Sequence, residues 1–291
     1  MIPRTMSTQH PDNVRNPFFA SNAILEGDDE IKEAFYAYSH IKCHEQLWDC
    51  EGKEVDNYVV KKLLSKYEPF FRKNRLGRDI FLTLRVPNPE VEKDDAKIIL
   101  ETLESIPRSF DIARKFYGDD VAPIFEVALP MTTSAESLLR IKEYYKKFVV
   151  SKAGSYLLGM KISEWVGDFN PKDINVIPLI ETMEGMLNPE KIVEGYITKA
   201  GVAEQRVWLA RSDTALNYSM VSAILVNKIA LQRLHELEEK TAVKIMPILG
   251  LGSAPFRGNL KPHNLSCLSE YPSVQTFTIQ SAFKYDNDDK D

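Results

Sequence analysis

Cysteine is scarce in this sequence, with only Cys43, Cys50 and Cys267 among 291 residues. So small and odd a number, in a chain too long to need covalent staples, excludes a disulfide framework and suits a reducing compartment. Cys43 and His44 lie near Cys50, but no CxxC and no paired histidine completes a zinc set, so buried bystander thiols are the stronger reading. Long apolar runs are lacking too. Nowhere do eighteen apolar residues follow one another, and Met1 to Met6 carry no secretory h-region, so a soluble, cytoplasmic protein is expected. Nor is there an excess of positive charge. A formal net charge of −5 and a pI near 5.7 exclude a general binder of nucleic acid or of acidic membrane surfaces. Glycine-rich nucleotide loops are also missing, since neither GxGxxG nor GxxxxGK[ST] occurs.

What is present is a 44% hydrophobic content, enough for one large α/β barrel or two ordinary domains, and a regular alternation of strand-like and helix-like patterns. Strands are expected at Glu45–Cys50, Ile80–Val86, Ile124–Leu129, Asn175–Ile180, Arg206–Ala210, Lys244–Leu249 and Gln275–Gln280. A first helix covers Asp29–Ser39. Further helical patterns fall at Asn57–Arg72, Asp94–Ser105 with Asp111–Tyr117, Ala135–Val150, Pro189–Lys199 and Tyr218–Lys240. In the last of these, Met220, Ile224, Leu231 and Leu234 fall on one side. Asn188-Pro189 and Thr133-Ser134 read as helix starts.

Repeated βα units with nearly continuous apolar strands imply a parallel sheet covered by helices, and seven units favour a barrel over an open sheet. A closed barrel needs an eighth strand, whereas the chain ends soon after the seventh. The expected fold class is therefore α/β, a (β/α)8 TIM-type barrel lacking its closing C-terminal segment. An N-terminal segment, 1–43, would carry the His10 loop and a helix, and 44–291 would form the incomplete barrel. An acidic tract, residues 286–291, closes the sequence.

Polar residues stand where the apolar runs end: Asp49, Arg85, Glu181, Asp213 and Arg257. Side chains at the C-terminal ends of parallel barrel strands converge on one mouth. Carboxylates facing guanidiniums there suit a divalent cation together with a phosphorylated or carboxylated acid. Glu181 and Asp213 follow consecutive strands, roughly 4.8 Å apart, close enough to share an octahedral Mg²⁺ or Mn²⁺. The plainer alternative for each is an acid in the first turn of a helix.

Arg257 sits in a Gly252-Ser253 loop whose amides are expected to be free to approach an oxyanion, with a surface salt bridge as the alternative. Arg85 points inward and needs an anionic partner, either ligand or a barrel carboxylate such as Glu126. Asp49, with Glu51, could hold water on the metal, bind substrate or orient Arg85. His10 lies in a polar turn before Pro11, where an imidazole can act as acid or base or be an ordinary surface residue.

These residues occur within longer motifs: MSTQHPDN at 6–13, WDCEGKEVDNYVV at 48–60, LRVPNP at 84–89, LETLESIP at 100–107, ALPMTTS at 128–134, VIPLIE at 176–181, LARSD at 209–213 and GSAPFRGNL at 252–260. In this order they resemble the archaeal-type phosphoenolpyruvate carboxylases, over essentially the whole chain. The resemblance implies a barrel of the phosphoenolpyruvate-binding kind and Mg²⁺-dependent addition of bicarbonate to phosphoenolpyruvate, giving oxaloacetate and phosphate through carboxyphosphate and the enolate of pyruvate. Mn²⁺ could replace Mg²⁺. It implies a homotetramer, while the charge balance above speaks against a nucleic-acid or membrane partner.

Carried over by residue, His10 matches the catalytic histidine, Glu181 and Asp213 the metal ligands, and Arg257 a phosphate-binding arginine. Arg85 matches more loosely, as a catalytic residue at the bicarbonate or transferred phosphate. Ser253, Asp49, Gln280 and Lys284 are further candidates for substrate binding. Family members continue beyond the point corresponding to Asp291, with further substrate-binding arginines there, and Leu251-Gly252-Ser253 stands where many relatives have another loop arginine. Two alternatives stay open: another phosphoenolpyruvate or pyruvate barrel lyase, or a truncated, non-catalytic assembly protein.

Overall fold

Apolar runs that alternate in and out along a pleated chain become eight parallel strands in the computed structural model, which describes residues 2–22, 24–50 and 56–287. They are β1 (Thr5–Ser7), β2 (Glu45–Asp49), β3 (Phe81–Arg85), β4 (Glu126–Leu129), β5 (Asn175–Ile180), β6 (Glu204–Ala210), β7 (Lys244–Gly250) and β8 (Thr276–Ile279). The barrel is closed, with β1 pairing to β8 on one side and to β2 on the other. This corrects the expectation of seven strands with a missing closing piece. The eighth strand is Thr5-Met6-Ser7, three residues with one apolar side chain, too short and polar for the four-to-eight-residue runs by which strands are recognised. Its ladder is set by Met6 opposite Thr278 and Glu45.

Because successive side chains alternate across a strand, each strand gives every second residue to the interior, and the interior is layered. Nearest the N-terminal ends lies an ionic layer. The Arg206 guanidinium donates to Glu45 Oε1 at 2.8 Å, Glu45 Oε2 at 2.6 Å and Glu126 Oε2 at 3.0 Å, and Thr83 Oγ1 donates to Glu45 at 2.5 Å. Burial pushes the Glu126 carboxyl up, against the pull of Arg206, while the two glutamates hold Arg206 above its usual range. Above it an apolar plug of Met6, Leu47, Ala128, Ile177, Leu179, Trp208 and Ile248 fills the waist. The third layer, at the C-terminal mouth, is polar.

Outside, helices cover the strands with adjustments the pattern did not show. Ile98–Tyr117 is one helix running through Pro107, because Leu103, Ile106, Phe110 and Ala113 continue a buried stripe across it. The Asn57–Arg72 pattern divides into Val59–Lys66 and Glu68–Lys73, with Pro69 in the opening turn of the second. Ala135–Tyr144 begins with Ser134 Oγ accepting the Ser137 N–H at 3.2 Å and passes into a π-helical turn, Tyr145–Val149. Asn188 makes no such cap, its amide donating to Glu184 O at 3.1 Å.

In the Met220–Thr241 helix, Leu231 and Leu234 are buried as expected, but Met220 is 46% exposed and Ala223, Val226, Asn227 and Ala230 face the barrel. The three cysteines are free and buried. No helix among the described residues is long and apolar enough to cross a membrane.

Candidate active site

Strand register builds the first pair at the mouth. Asp49 lies opposite Arg85 at the C-terminal ends of β2 and β3, so two side chains that both point inward must meet. They do so in a bidentate fork, Arg85 Nε to Asp49 Oδ1 at 2.9 Å and Nη2 to Oδ2 at 2.5 Å. Asp49 thus orients Arg85, one of the roles left open for it. Glu126, the other candidate partner, is engaged by Arg206 in the ionic layer. Glu51, named with Asp49, lies outside the described residues, as do residues 288–291 of the acidic tract.

Glu181 follows β5 immediately, and Asp213 stands in the first turn of the Ser212–Tyr218 helix after β6. The loop after β4 reaches across to Glu181. Met131 adopts the left-handed region, φ 50°, and its N–H donates to Glu181 Oε2, while Thr132 N–H is bonded to Leu179 O at 3.0 Å. Burial pushes the Glu181 carboxyl up to about 7; the negative charge of Asp213 adds to the shift, and the Met131 amide and Arg85 oppose it. These two carboxylates fit a hard divalent cation. They are oxygen donors, and one is held on the edge of protonation by burial and a like charge, a situation a cation relieves. Among the described residues no group of three or more His, Cys, Asp or Glu side chains is arranged to hold an ion, so water and substrate oxygens would complete a shell of the Mg²⁺ type.

A stability consequence follows from the sign of the shift. Between the ordinary value of 4.5 and about 7 the folded chain holds a proton at Glu181 that the unfolded chain has lost, so this group lowers stability as pH rises through that window and levels off above it. Glu181→Gln is expected to remove a loss on the order of 2 kcal/mol between pH 5 and pH 8 in metal-free protein, read from urea midpoints at both pH values. Equal pH slopes for both proteins would overturn it.

His10 and Arg257 come together from opposite ends of the sequence, Arg257 Nη1 lying 2.5 Å from His10 Nε2. A guanidinium has donors only, so the imidazole nitrogen accepts, and the ring is neutral with its proton on Nδ1. Burial and the charges of Arg257 and Arg85 lower the His10 pKa, with Asp12 and Asp213 pulling the other way.

Arg257 also donates to Gln280 Oε1 at 3.3 Å. A Cβ at Gly252 would lie 2.1 Å from Gln280 Oε1 and 2.9 Å from Arg257 Cδ, so the glycine leaves room for both side chains where they now stand. The Gly252 amide is not free, contrary to the expectation for this loop. Gly252 N–H is bonded to Arg257 O at 2.8 Å, Leu251 N–H to Thr278 Oγ1 at 2.7 Å and Gly258 N–H to Pro255 O at 3.1 Å. The loop closes on itself and presents the Arg257 side chain instead.

One cavity of about 90 Å³, partly open to solvent, is lined by His10, Asp49, Arg85, Glu181, Asp213, Arg257 and Gln280, over a floor of Leu47, Leu179 and Trp208. Two expected residues are elsewhere. Ser253 is buried with its hydroxyl donating to Leu260 O at 3.0 Å, and Lys284 is buried against Glu33 at 2.8 Å. Arg211 lines the cavity without having been singled out. Its Nη1 donates to Phe256 O at 2.6 Å, fastening the Arg257 loop; only its place in LARSD, two residues before Asp213, pointed to it.

Comparison with known proteins decides the family. The family model described as phosphoenolpyruvate carboxylase matches residues 2–291. The chain belongs to the phosphoenolpyruvate carboxylase family. Curated phosphoenolpyruvate carboxylases from Methanothermobacter thermautotrophicus and Methanospirillum hungatei JF-1 are each 59% identical, over 100% and 98% of this chain, and one from Pyrococcus horikoshii is 56% identical over 100%. The chain spans 60%, 60% and 62% of the length of these three carboxylases.

Among solved structures, HpcH/HpaI aldolase-family proteins share the fold. That from Desulfitobacterium hafniense DCB-2 superposes with a TM-score of 0.51 at 13% identity, covering 96% of this chain and 87% of its own. The one from Burkholderia cenocepacia J2315 gives 0.53 at 13%, covering 97% and 90%. This family member is therefore a parallel (β/α)8 barrel with its polar cavity at the C-terminal mouth, where such barrels place their chemistry.

Proposed function

We propose that this barrel carries out the chemistry of a phosphoenolpyruvate carboxylase, joining bicarbonate to phosphoenolpyruvate to give oxaloacetate and phosphate. The observation that supports it best is the single cavity holding His10, Arg85, Arg257, Glu181 and Asp213 together.

Phosphoenolpyruvate is a polyanion, and Arg257 and Arg85 present forks of donors matched to phosphate and carboxylate oxygens. Glu181 and Asp213 would hold Mg²⁺, or Mn²⁺ in its place, whose charge when bound favours the enolate oxygen. Bicarbonate oxygen attacks phosphorus and the bond from phosphorus to the enol oxygen breaks, leaving carboxyphosphate and the enolate. His10 accepts the carboxyl proton of carboxyphosphate, which separates into CO₂ and phosphate, and the enolate carbon then attacks CO₂.

The His10–Arg257 contact supports this role. Its Nε2 lone pair is engaged by Arg257, so an anion that draws the guanidinium to itself frees the base at the moment substrate is present. The apolar floor beneath keeps these charges away from the ionic layer.

Phosphate release from phosphoenolpyruvate, measured with and without bicarbonate and Mg²⁺, tests the reading. Release is expected to require both. Release indifferent to bicarbonate would overturn it and favour a different lyase of the same fold.

A further inference from the structure

Among the described residues His10 makes one side-chain hydrogen bond in the cavity, to Arg257, yet the segments on both sides of it are held at many points. Most of these attachments come from one place, the short helix Ser281–Tyr285 that follows β8, and the residue just after it. Lys284 Nζ donates to Ser7 Oγ at 3.1 Å and Thr8 O at 3.0 Å, and the Ala282 N–H donates to Asp12 Oδ1 at 2.7 Å. Asp286 accepts the Val14 N–H at 2.9 Å and the Arg15 N–H at 2.8 Å. Glu33 anchors the assembly, accepting from Lys284 at 2.8 Å, Tyr285 at 2.8 Å and Gln9 Nε2 at 3.2 Å. Gln9 in turn accepts the Asp49 N–H at 2.8 Å, which ties the loop to the end of β2.

Two features separate this from ordinary helix packing. The Lys284–Glu33 pair is almost wholly buried, at 4% and 2% exposure, where a packed apolar pair would serve stability equally well. Its remaining donors go to Ser7 and Thr8, so what the charge adds is the position of that segment. The contacts with Asp12 and Asp286 lie on the far side of His10, and the loop is thereby pinned on both flanks while the imidazole between them stays exposed to the cavity.

We propose that the helix after the last strand is a clamp that sets the His10 imidazole against Arg257, with Lys284, Glu33, Asp12 and Asp286 as positioning residues. The inference rests on the reading of His10 as a reacting group. Lys284, expected from the resemblance to touch substrate, acts here through the loop.

Lys284→Met alone would strand a buried carboxylate and could prevent folding, so the test uses Asp286→Ala and the paired variant Glu33→Gln/Lys284→Met. Each is made in the full chain and followed by melting temperature, by steady-state phosphate release and by imidazole ¹⁵N signals of histidine-labelled protein. For Asp286→Ala the expected result is an unchanged melting temperature, kcat lower by about tenfold, and KM for phosphoenolpyruvate within about twofold. The His10 signature of a protonated Nδ1 and an accepting Nε2 should give way to mixed tautomers, and Asp286→Asn, which keeps one acceptor, should restore most of both.

Unaltered kcat and imidazole signals in Asp286→Ala and the paired variant would overturn the clamp, as would a loss of kcat that only follows a fall in melting temperature. A wild-type chain whose phosphate release ignores bicarbonate would overturn the carboxylase reading instead, and the imidazole signals would still decide whether the clamp sets His10.

Discussion

Replacing Arg257 with alanine is expected to lower kcat/KM for bicarbonate-dependent phosphate release by roughly 10²–10³-fold, the usual cost of removing one donor aimed at developing anionic charge. Two effects act in the same direction. The fork proposed to receive phosphate is lost, and the guanidinium that donates to His10 Nε2 and lowers the pKa of the ring is lost with it. The fold should survive, because Arg257 is only partly buried in a loop whose backbone bonds, Gly252 N–H to Arg257 O among them, do not depend on the side chain. Arg257→Lys should recover little, since an ammonium cannot hold imidazole and phosphate in the same plane. Steady-state kinetics beside a thermal melt checks this. Activity within threefold of wild type, on the order of 0.7 kcal/mol, would place the phosphate grip elsewhere.

The second large effect lies at the opposite end of the barrel. Arg206→Met is expected to cost about 3–5 kcal/mol of folding stability, because it leaves Glu45 and Glu126 facing each other in a dry interior with no counter-charge. The size of the loss comes from the stranded acids rather than from the lost attraction, which makes the effect separable. Changing Glu45 and Glu126 to glutamine as well should return a substantial part of the stability. Urea midpoints of the single and triple variants measure both quantities. A single variant as stable as wild type would overturn the assignment of the cost to stranded acids, and a triple variant no better than the single would show that shape rather than charge sets the cost.

Seven of the eight strands were legible in the sequence because each is four or more residues long and carries at least two apolar side chains, and Asn175–Ile180 was legible to the residue. The eighth was not, since Thr5-Met6-Ser7 has no pattern of its own and is a strand only because β8 and β2 offer it two ladders. The cavity was legible for the same reason as the strands. Once the ends of apolar runs are known, alternation and parallel closure bring Asp49, Arg85, Glu181 and Asp213 to one mouth. What sequence could not give was pairing: that Asp49 rather than Glu126 answers Arg85, that Arg211 fastens a loop forty-five positions away, and that Ser253 turns from the cavity to Leu260 O. Those outcomes depend on register and on loops closing back upon themselves, which local spacing does not encode.

The shortness of β1 has a bearing on how the molecule is made. Its partner β8 comes later by a separation of 273 positions, as in the bond from Thr276 Oγ1 to Pro3 O, so on a ribosome adding about 5–20 residues each second the first strand waits about 14–55 s for it. A long greasy ribbon left idle for that time would invite pairing with neighbouring nascent chains. Three mostly polar residues offer almost nothing to grip, and His10, three positions further on, meets Arg257 only once the second half of the barrel has been made.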